Sequence, residues 1–407
     1  MHTARSQPDR RLPRPPAGLL AVVLLVLAIA FVAIRSGPLG GGVPGSPGTT
    51  PGPAAGSASP AAAPSDGPFP SPAGSTGGPI VVVPASIDAT GSRDVAGALQ
   101  AVIDGAPDGA TVELPAGAHF LLSSTLHLDG RNGLVLDGNG ASLVARPATG
   151  AGRPILGISG STATVVRDLD LVGASTSPGV YQPAREHDHG VAIVGSKATT
   201  LSGLSIERTT GDCVYVADQA GAWSDGVRLV DSRCSGPGRN GVAVVGGLNI
   251  DVEGTTFSNV GYHVLDLEPN QGPPLEGASD VRFANNTVNA PVAGYVVAAD
   301  GWGPIDRVTV TGNILAGLPL RVTVEPATGS GYRRAGFTIS NNRSDTLADL
   351  AIPLMDFGST DDLTISGNDQ PLAKATVLAA VSGSCRVTIS ANQLDSGQAA
   401  LITRPSC

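Results

Sequence analysis

The chain has 407 residues, enough for one large domain or two ordinary ones, and only 14% of them are charged and 3% aromatic. Its formal net charge of -9 supplies no basic surface, which argues against a nucleic-acid partner and leaves soluble polymers and small molecules. With so few aromatic residues, a core of this size must be filled by Val, Leu, Ile and Ala.

The first predicted element is a transmembrane helix over residues 17–34, a stretch without a charged residue that is just long enough to span a bilayer. Arginines are concentrated in residues 1–16, so the positive-inside rule places that segment in the cytoplasm. We therefore expect a single-pass protein of the cell membrane with an extracytoplasmic C-terminal part. Secretion after cleavage of a signal peptide is the alternative, although no convincing A-x-A site follows the apolar run.

Residues 35–79 are predicted to be a disordered linker. They consist almost entirely of Gly, Pro, Ser, Ala and Thr, with no apolar periodicity and almost no charge. Such a segment has too little apolar surface to fold and is partly extended by its prolines. We expect it to hold a folded domain, residues 80–407, away from the membrane surface.

The folded domain is predicted to begin with an amphipathic helix over Arg93–Asp104, with Ser92 as its N-cap. Its apolar residues fall on one face at helical spacing, namely Val95, Ala98, Leu99, Val102 and Ile103. The rest of the domain is repetitive, and such arrays need a polar cap at each end. We therefore expect this helix to cover the N-terminal end of the array.

Two strand motifs define the repeat. Copies of the first motif, apolar-x-apolar followed by small polar residues, begin at Leu134, Thr164, Thr199, Val227, Ile250, Val281, Val308, Phe337, Leu363 and Val387. From Thr164 onward they are spaced by 35, 28, 23, 31, 27, 29, 26 and 24 residues. Copies of the second motif begin at His189, Asp212, Asn240, His263, Gly294 and Leu320, with matching gaps.

Stacked units of this kind pair their strands in parallel, about 4.8 Å apart, and bury one continuous core. The sequence therefore predicts an all-β solenoid, a parallel β-helix of about ten coils. An asparagine follows the first motif in one register, at Asn139, Asn286, Asn313, Asn342, Asn368 and Asn392. We expect these residues to take left-handed turns and to hydrogen-bond along the stack.

Four cysteines are present, and none lies in a C-x-x-C pair, so a structural zinc site has little support. Cys385 and Cys407 are about one coil apart and are predicted to form a disulfide across the last coil. Cys213 and Cys234 have a similar spacing and can pair in the same way. The alternative for the latter two is that both are small buried apolar side chains.

The stretch DVAGALQAVIDGAPDGATVELPAGAHFLLSSTLHL resembles the opening cap and first coil of the pectate-lyase-like right-handed β-helix superfamily. The stretch GRNGVAVVGGLNIDVEGTTFSNVGYHVLDLEPN is similar to right-handed β-helix repeat proteins of unsettled activity. The resemblance covers about 320 residues and implies a right-handed coil. It leaves activity open, because lyases, hydrolases, epimerases, esterases and non-enzymatic adhesins share the fold. Neither the motifs of polygalacturonases nor those of calcium-dependent pectate lyases are found.

Polar side chains concentrate on four successive coils, beginning with the insertion YQPAREHDHG. The candidate catalytic residues are Asp212, Arg239, His263, Asp266 and Glu268. The candidate substrate-binding residues are Glu186, His189, Tyr215 and Asn240. If the registers hold, His189, Asp212, Asn240 and His263 stack near one edge, and histidines beside carboxylates suit acid–base chemistry on a sugar.

Asp266 and Glu268 alternate with the inward Leu265 and Leu267, so both are expected to face outward. Two carboxyls at roughly 6.5–9.5 Å would suit an inverting glycosidase. A lyase instead needs a base, for which Arg239 or His263 is the candidate. The alternative is that both acids belong to a solvated strand face.

Other residues also have structural interpretations. Asp212 and Asn240 can simply close turns. Glu186 to His189 can be a solvated loop, or a metal site that needs a third ligand. No cofactor is required by the sequence, and calcium remains possible.

The fold and the polar cluster together predict a membrane-anchored, extracytoplasmic and carbohydrate-active protein, a polysaccharide hydrolase or lyase. A non-catalytic polysaccharide-binding or adhesion module is the alternative. We expect a monomer whose partners are a polysaccharide and, through residues 17–34, the membrane.

Overall fold

The computed structural model describes residues 77–403 except 149, 151, 272–274, 330, 347–348, 351, 371–373, 376 and 395–399. The predicted membrane helix, almost all of the linker and Cys407 lie outside the described residues. Within the part of the chain that is described, no helix is long and apolar enough to cross a membrane.

A typical coil contributes one strand to each of three parallel sheets, numbered here in the order in which the chain visits them. Sheet 1 contains Ile80–Val82, Thr111–Glu113, Thr200–Ser202, Ser224–Val230, Gly247–Glu253, Ala278–Ala284, Ile305–Thr311, Arg334–Ser340, Thr360–Asp361, Leu363–Ser366 and Val387–Ser390. Sheet 2 contains Thr90–Asp94, His119–Leu122, Ser205–Glu207, Arg233–Ser235, Thr256–Val260, Thr287–Val292, Ile314–Ala316, Arg343–Ser344, Asp369–Gln370 and Gln393–Leu394. The long strands Val135–Ala145 and Val165–Val172 run through both sheets.

Sheet 3 has eleven strands and carries the residues of interest below. Its strands are Leu126–His127, Leu156–Ser159, Val191–Val194, Val214–Ala217, Val242–Val244, Leu265–Leu267, Val297–Ala299, Val322–Val324, Met355–Gly358, Ala379–Ser382 and Ala400–Thr403. A short additional pair joins Asp349–Leu350 to Lys374–Ala375. The inward side chains of all three sheets form one continuous apolar core, as the strand alternation predicts.

The register of sheet 1 confirms the spacing predicted for the first strand motif. Val227 lies opposite Ile250, and Val281 lies opposite Val308. Sheet 3 confirms the second series up to His263, but the next copy was placed one residue too early. Leu265 pairs with Val297 rather than with its neighbour on the N-terminal side.

The capping helix is Ala96–Gly105, three residues shorter at its start than predicted. Ser92 is not its N-cap, because the amide and hydroxyl of Ser92 both donate to the carboxylate of Asp88. Val95 takes the N-cap position without a side-chain hydrogen bond. Leu99 and Ile103 of the helix are buried in the core of the first coils, as expected for a cap.

The asparagine ladder is confirmed for its last five members. The side-chain oxygens of Asn313, Asn342, Asn368 and Asn392 each accept from the backbone N–H of the ladder residue one coil earlier. Asn139 is exposed and has no place in the ladder. The predicted left-handed turn is confirmed at Asn139, with φ of 50°, but it is wrong for the ladder members. There the preceding residue takes positive φ, as Asn285 and Asn341 do.

Cys213 and Cys234 form a disulfide with a Cα–Cα distance of 6.0 Å. Both residues are buried, and the bridge joins the start of a sheet 3 strand to a strand of sheet 2 across the core. The pairing of Cys385 with Cys407 involves a residue outside the described part and stays a prediction.

Candidate functional site

The candidate residues meet on the outer face of sheet 3 and at the corner where sheet 2 leads into it. The insertion between Val172 and His189 runs along this corner. Gly179 N–H donates to the carbonyl of Gly236, and the Asn259 side-chain amide donates to the carbonyl of Pro178 at 3.1 Å. The insertion therefore lies along the ends of two successive sheet 2 strands, Arg233–Ser235 and Thr256–Val260, at the corner that precedes sheet 3.

A ladder of polar side chains marks the corner itself. Asp212 N–H donates to His189 Nδ1 at 3.1 Å, and Asn240 N–H donates to Asp212 Oδ1 at 2.9 Å. His263 N–H donates to Asn240 Oδ1 at 3.0 Å, and Tyr295 N–H donates to His263 Nδ1 at 3.0 Å. The predicted stacking of these four side chains is confirmed. Each of them also accepts a backbone N–H from the next coil, in keeping with a turn-closing role.

Arg239 lies at the centre of the acidic side chains. Its Nη2 donates to Glu268 Oε2 at 2.6 Å and lies 3.9 Å from Asp266 Oδ2, while its Nη1 lies 3.6 Å from Asp212 Oδ2. Burial alone would lower the pKa of Arg239, but the three carboxylates outweigh it and raise that pKa. The guanidinium therefore keeps its proton and is unsuited to the role of a base.

Asp266 points away from the core, as predicted, but it is not on a solvated face. It is only 2% exposed, and Oδ2 accepts a hydrogen bond from Asn240 Nδ2 at 2.8 Å. Burial, reinforced by the nearby Glu268, raises the pKa of Asp266 well above its ordinary value. The solvated-face interpretation is therefore wrong for Asp266, whereas the Glu268 side chain is 39% exposed.

The separation of the two predicted carboxyls is bounded by their shared contact with Arg239. Asp266 Oδ2 and Glu268 Oε2 lie 3.9 Å and 2.6 Å from the same Nη2 atom, so these oxygens are at most about 6.5 Å apart. The separation predicted for an inverting pair, roughly 6.5–9.5 Å, is thus reached by these two atoms only at its lower limit.

Sequence reasoning missed two acids in line with Glu268. Asp300 and Glu325 follow it on the next two strands of sheet 3, at the same register position. Asp300 Oδ1 is buried without a hydrogen-bond partner, and burial followed by the charges of its two neighbours raises the pKa of Asp300 to about 6. The signal was the acid after the alternating run, Asp300 at the end of GYVVAAD and Glu325 before the final proline of LRVTVEP. The one-residue register error at Gly294 obscured the alignment of Asp300 with Glu268.

His263 is held as a neutral ring. Its Nδ1 accepts the Tyr295 N–H, which places the remaining proton on Nε2. Burial, with smaller contributions from the charges of Arg239 and Arg321, lowers the pKa of His263 to about 4. With Nδ1 occupied and Nε2 protonated, His263 is a donor at neutral pH and is poorly placed to be a base.

The proposed substrate-binding residues surround this cluster. The Tyr215 ring stacks on His189 with centroids 4.7 Å apart, and burial raises the pKa of Tyr215 to about 12. Glu186 accepts a hydrogen bond from the Tyr181 hydroxyl at 3.0 Å. Tyr181 in turn stacks on Tyr262, which the sequence did not single out, with ring centroids 5.7 Å apart. Both of these tyrosines are exposed.

No group of three or more His, Cys, Asp or Glu side chains within the described residues is arranged to hold a metal ion. In the insertion, Asp188 is used internally: Oδ1 accepts the backbone N–H of Arg153, and Oδ2 accepts the Thr210 hydroxyl. Oδ2 also pairs with Arg185 at 2.6 Å. These contacts favour a structural role for the Asp188 side chain.

Three parallel sheets coiled around one apolar core, with a polar cluster on the outer face of one sheet, define a β-helix protein. Residues 189–394, just over half of the chain, match the family described as right handed beta helix region. The chain belongs to this family, which confirms the predicted right-handed coil. No curated protein matches the sequence.

Several solved structures are similar in fold at 13–14% identity. An endo-xylogalacturonan hydrolase from Aspergillus tubingensis superposes with a TM-score of 0.57 and 13% identity, covering 80% of this chain and 96% of that one. PfbA, a surface adhesin of Streptococcus pneumoniae, gives 0.54 and 13%, covering 78% and 90%. The Dettilon tailspike protein gives 0.50 and 14%, covering 80% and 68%. At such identities the similarity establishes the fold alone.

Proposed function

We propose that the domain is a glycoside hydrolase that binds a polysaccharide along the outer face of sheet 3. The observation that carries this proposal is that two neighbouring acids differ in their contacts. Glu268 is paired with Arg239, whereas Asp300, with an unpaired buried oxygen, has its pKa raised to about 6. An acid whose pKa is raised is suited to donate a proton, and a neighbouring carboxylate is suited to act as nucleophile or base.

In this proposal Asp300 donates the proton to the leaving glycosidic oxygen. Glu268 acts either as the nucleophile that attacks the sugar carbon or as the base that activates a water molecule. Asp212 and Asp266 hold the Arg239 side chain beside Glu268. Hydrolysis is favoured over β-elimination because neither proposed lyase base is free to accept a proton: Arg239 is bound by carboxylates, and His263 Nδ1 is already an acceptor.

The competing proposal is a polysaccharide-binding or adhesion module. It is favoured by the exposed Tyr181–Tyr262 stack beside the cluster, since aromatic rings present apolar surface for contact with a ligand. In that case the acids around Arg239 serve mainly as a buried ion-pair network, and the fold shared with a streptococcal adhesin is in keeping with this role.

The test is a product assay with the full-length protein on a panel of neutral and acidic polysaccharides. We expect new reducing ends without unsaturated sugars, and loss of that release in Glu268→Gln and Asp300→Asn. Asp356→Asn is the matched control, because Asp356 is an exposed acid on the outer face of the same sheet, in line with Asp266. Unsaturated products would contradict hydrolysis, and binding without any product would favour the adhesion module.

We also propose that residues 17–34 anchor the protein in the cell membrane with its C-terminal part outside. The proposal rests on the uncharged apolar run and the arginines that precede it. Tagged full-length protein is expected to stay with membranes after a carbonate wash, with its C-terminus accessible to external protease. Mature protein free in the medium and starting near residue 36 would contradict the anchor.

A further inference from the structure

Arg334 is the largest of the fully buried side chains in the part of the chain that the structure describes, and the site above does not use it. It begins a strand of sheet 1, in register with Ile305 and Ala278 of the two preceding coils, which are both buried in the apolar core. A cation in such a place is costly unless its N–H groups find acceptors. The position of Arg334 therefore calls for its own explanation.

The guanidinium of Arg334 donates to four backbone carbonyls around the sheet 3 acids. Its Nη2 donates to the carbonyls of Asp300 and Gly301, at 2.6 Å and 3.0 Å. Its Nη1 donates to the carbonyl of Gly303, and its Nε donates to the carbonyl of Glu325 at 3.1 Å. One buried side chain thus binds both the turn that follows Asp300 and the backbone at the acid of the next coil.

The turn that follows Asp300 is also held from the preceding coil. The Trp302 N–H donates to the carbonyl of Pro269, the residue after Glu268, at 2.7 Å. Gly301 has φ of +80°, and a Cβ at this position would lie 2.5 Å from the carbonyl oxygen of Pro269. The turn is therefore stacked closely on the one that follows Glu268, and Arg334 ties it down from inside the core.

From these contacts we propose that Arg334 is a positioning residue, which fixes the backbone at Asp300 and thereby the place of the Asp300 carboxyl relative to Glu268. Arg334 is fully buried, so no substrate reaches it and its action passes through Asp300. The proposal rests on the proposed function, in which Asp300 gives its proton to the glycosidic oxygen. Such a transfer needs the donor within hydrogen-bond reach, and a misplacement of about 1 Å can lower the rate roughly 10²-fold.

The charge of Arg334 also acts on Asp300. Burial lowers the pKa of Arg334 to about 10, so its guanidinium is still charged at neutral pH. The pKa of Asp300 is raised by burial and then by Glu268 and Glu325, and the charge of Arg334 partly offsets that rise. Removing this charge is therefore expected to raise the pKa of Asp300 further. A side chain that only filled space in the core would have no such effect.

The first arm of the experiment measures the release of reducing ends by the full-length protein against pH, after circular dichroism has shown that each variant is folded. Arg334→Gln should lower kcat by about tenfold or more and change KM by less than about twofold, because the proton donor is misplaced while the binding surface is kept. Its upper pH limit of activity should move to higher pH, since Asp300 keeps its proton longer. Arg333→Gln is the matched control, because the adjacent Arg333 is exposed and pairs with Asp361.

The second arm needs no turnover. Asp300→Asn is introduced into the unaltered protein and into Arg334→Gln, and the thermal stabilities are compared across pH. In the Arg334→Gln background the gain from Asp300→Asn should be larger at alkaline pH and should level off at a higher pH. If Arg334→Gln does not fold, Arg334→Lys replaces it in both arms, since a buried ammonium loses its charge more readily than a guanidinium.

The inference is overturned if the folded Arg334 variant keeps the kcat of the unaltered protein, or if the gain from Asp300→Asn is the same in both backgrounds at every pH. Failure of the unaltered protein to release reducing ends from any polysaccharide would instead contradict the hydrolase proposal. In that case the second arm alone still decides whether Arg334 acts on Asp300.

Discussion

Asp300 links the chemistry of the site to the stability of the fold. Its pKa is raised from 3.8 to about 6 because folding buries the carboxyl near other acids. The folded state therefore opposes ionisation, and the resulting penalty is absent below pH 3.8 and complete above about pH 6. The effect is worth at most ~3 kcal/mol, and partial exposure reduces it to ~1–2 kcal/mol.

Asp300→Asn is accordingly expected to stabilise the protein by ~1–2 kcal/mol at pH 8 and to give no gain near pH 3.5. Thermal unfolding of both proteins across this range measures the difference. Asp356→Asn, at an exposed acid of the same sheet, is the control. A gain that does not depend on pH would mean that the carboxyl of Asp300 titrates normally.

Single residues were only partly predictable from the sequence. The alternation around Leu265 and Leu267 correctly placed Asp266 on the outer side of its strand. Its burial was not predictable, because it depends on Asn240 and Arg239 from the preceding coil, whose side-chain directions no local pattern contains.

Among the elements, the asparagine ladder is sensitive to a single substitution. Asn342 Oδ1 accepts both the backbone N–H and the side-chain amide of Asn313, at 3.0 Å and 2.8 Å. Asn342→Ala leaves these buried donors unpaired and should cost about 2–4 kcal/mol. Urea unfolding measures the loss. The control Asn132→Ala, at an exposed position, should change the free energy of unfolding by less than ~0.5 kcal/mol.

Equal effects of the two asparagine substitutions would contradict the ladder as a source of stability.

Strand spacing was predictable because a shift of one residue would turn an entire apolar face outward. The path of the insertion was not, since contacts such as that of Pro178 with Asn259 join segments distant in sequence. The copy at Gly294 was misplaced for a different reason, because Tyr295 stands at the ladder position where the four preceding copies have His, Asp or Asn.

All coils of the molecule share one core. A polar substitution at an inward position is therefore expected to reduce its stability more than one at an outward position. Val310 is fully buried in sheet 1, whereas the adjacent Thr309 is only partly buried and points outward. Val310→Asp should abolish folding, because a buried unpaired carboxylate costs several kcal/mol. Thr309→Asp should retain the β-rich circular dichroism spectrum. Comparable spectra and unfolding curves for both variants would contradict the register of the coil.

The most direct measurement is a crystal structure of the Glu268→Gln variant with an oligosaccharide that the unaltered protein cleaves. We expect a sugar chain along the outer face of sheet 3, with a glycosidic oxygen within hydrogen-bond reach of the Asp300 carboxyl. An oligosaccharide bound on sheet 1 or sheet 2, or one on sheet 3 with no glycosidic bond near Asp300 and residue 268, would contradict the proposed hydrolase.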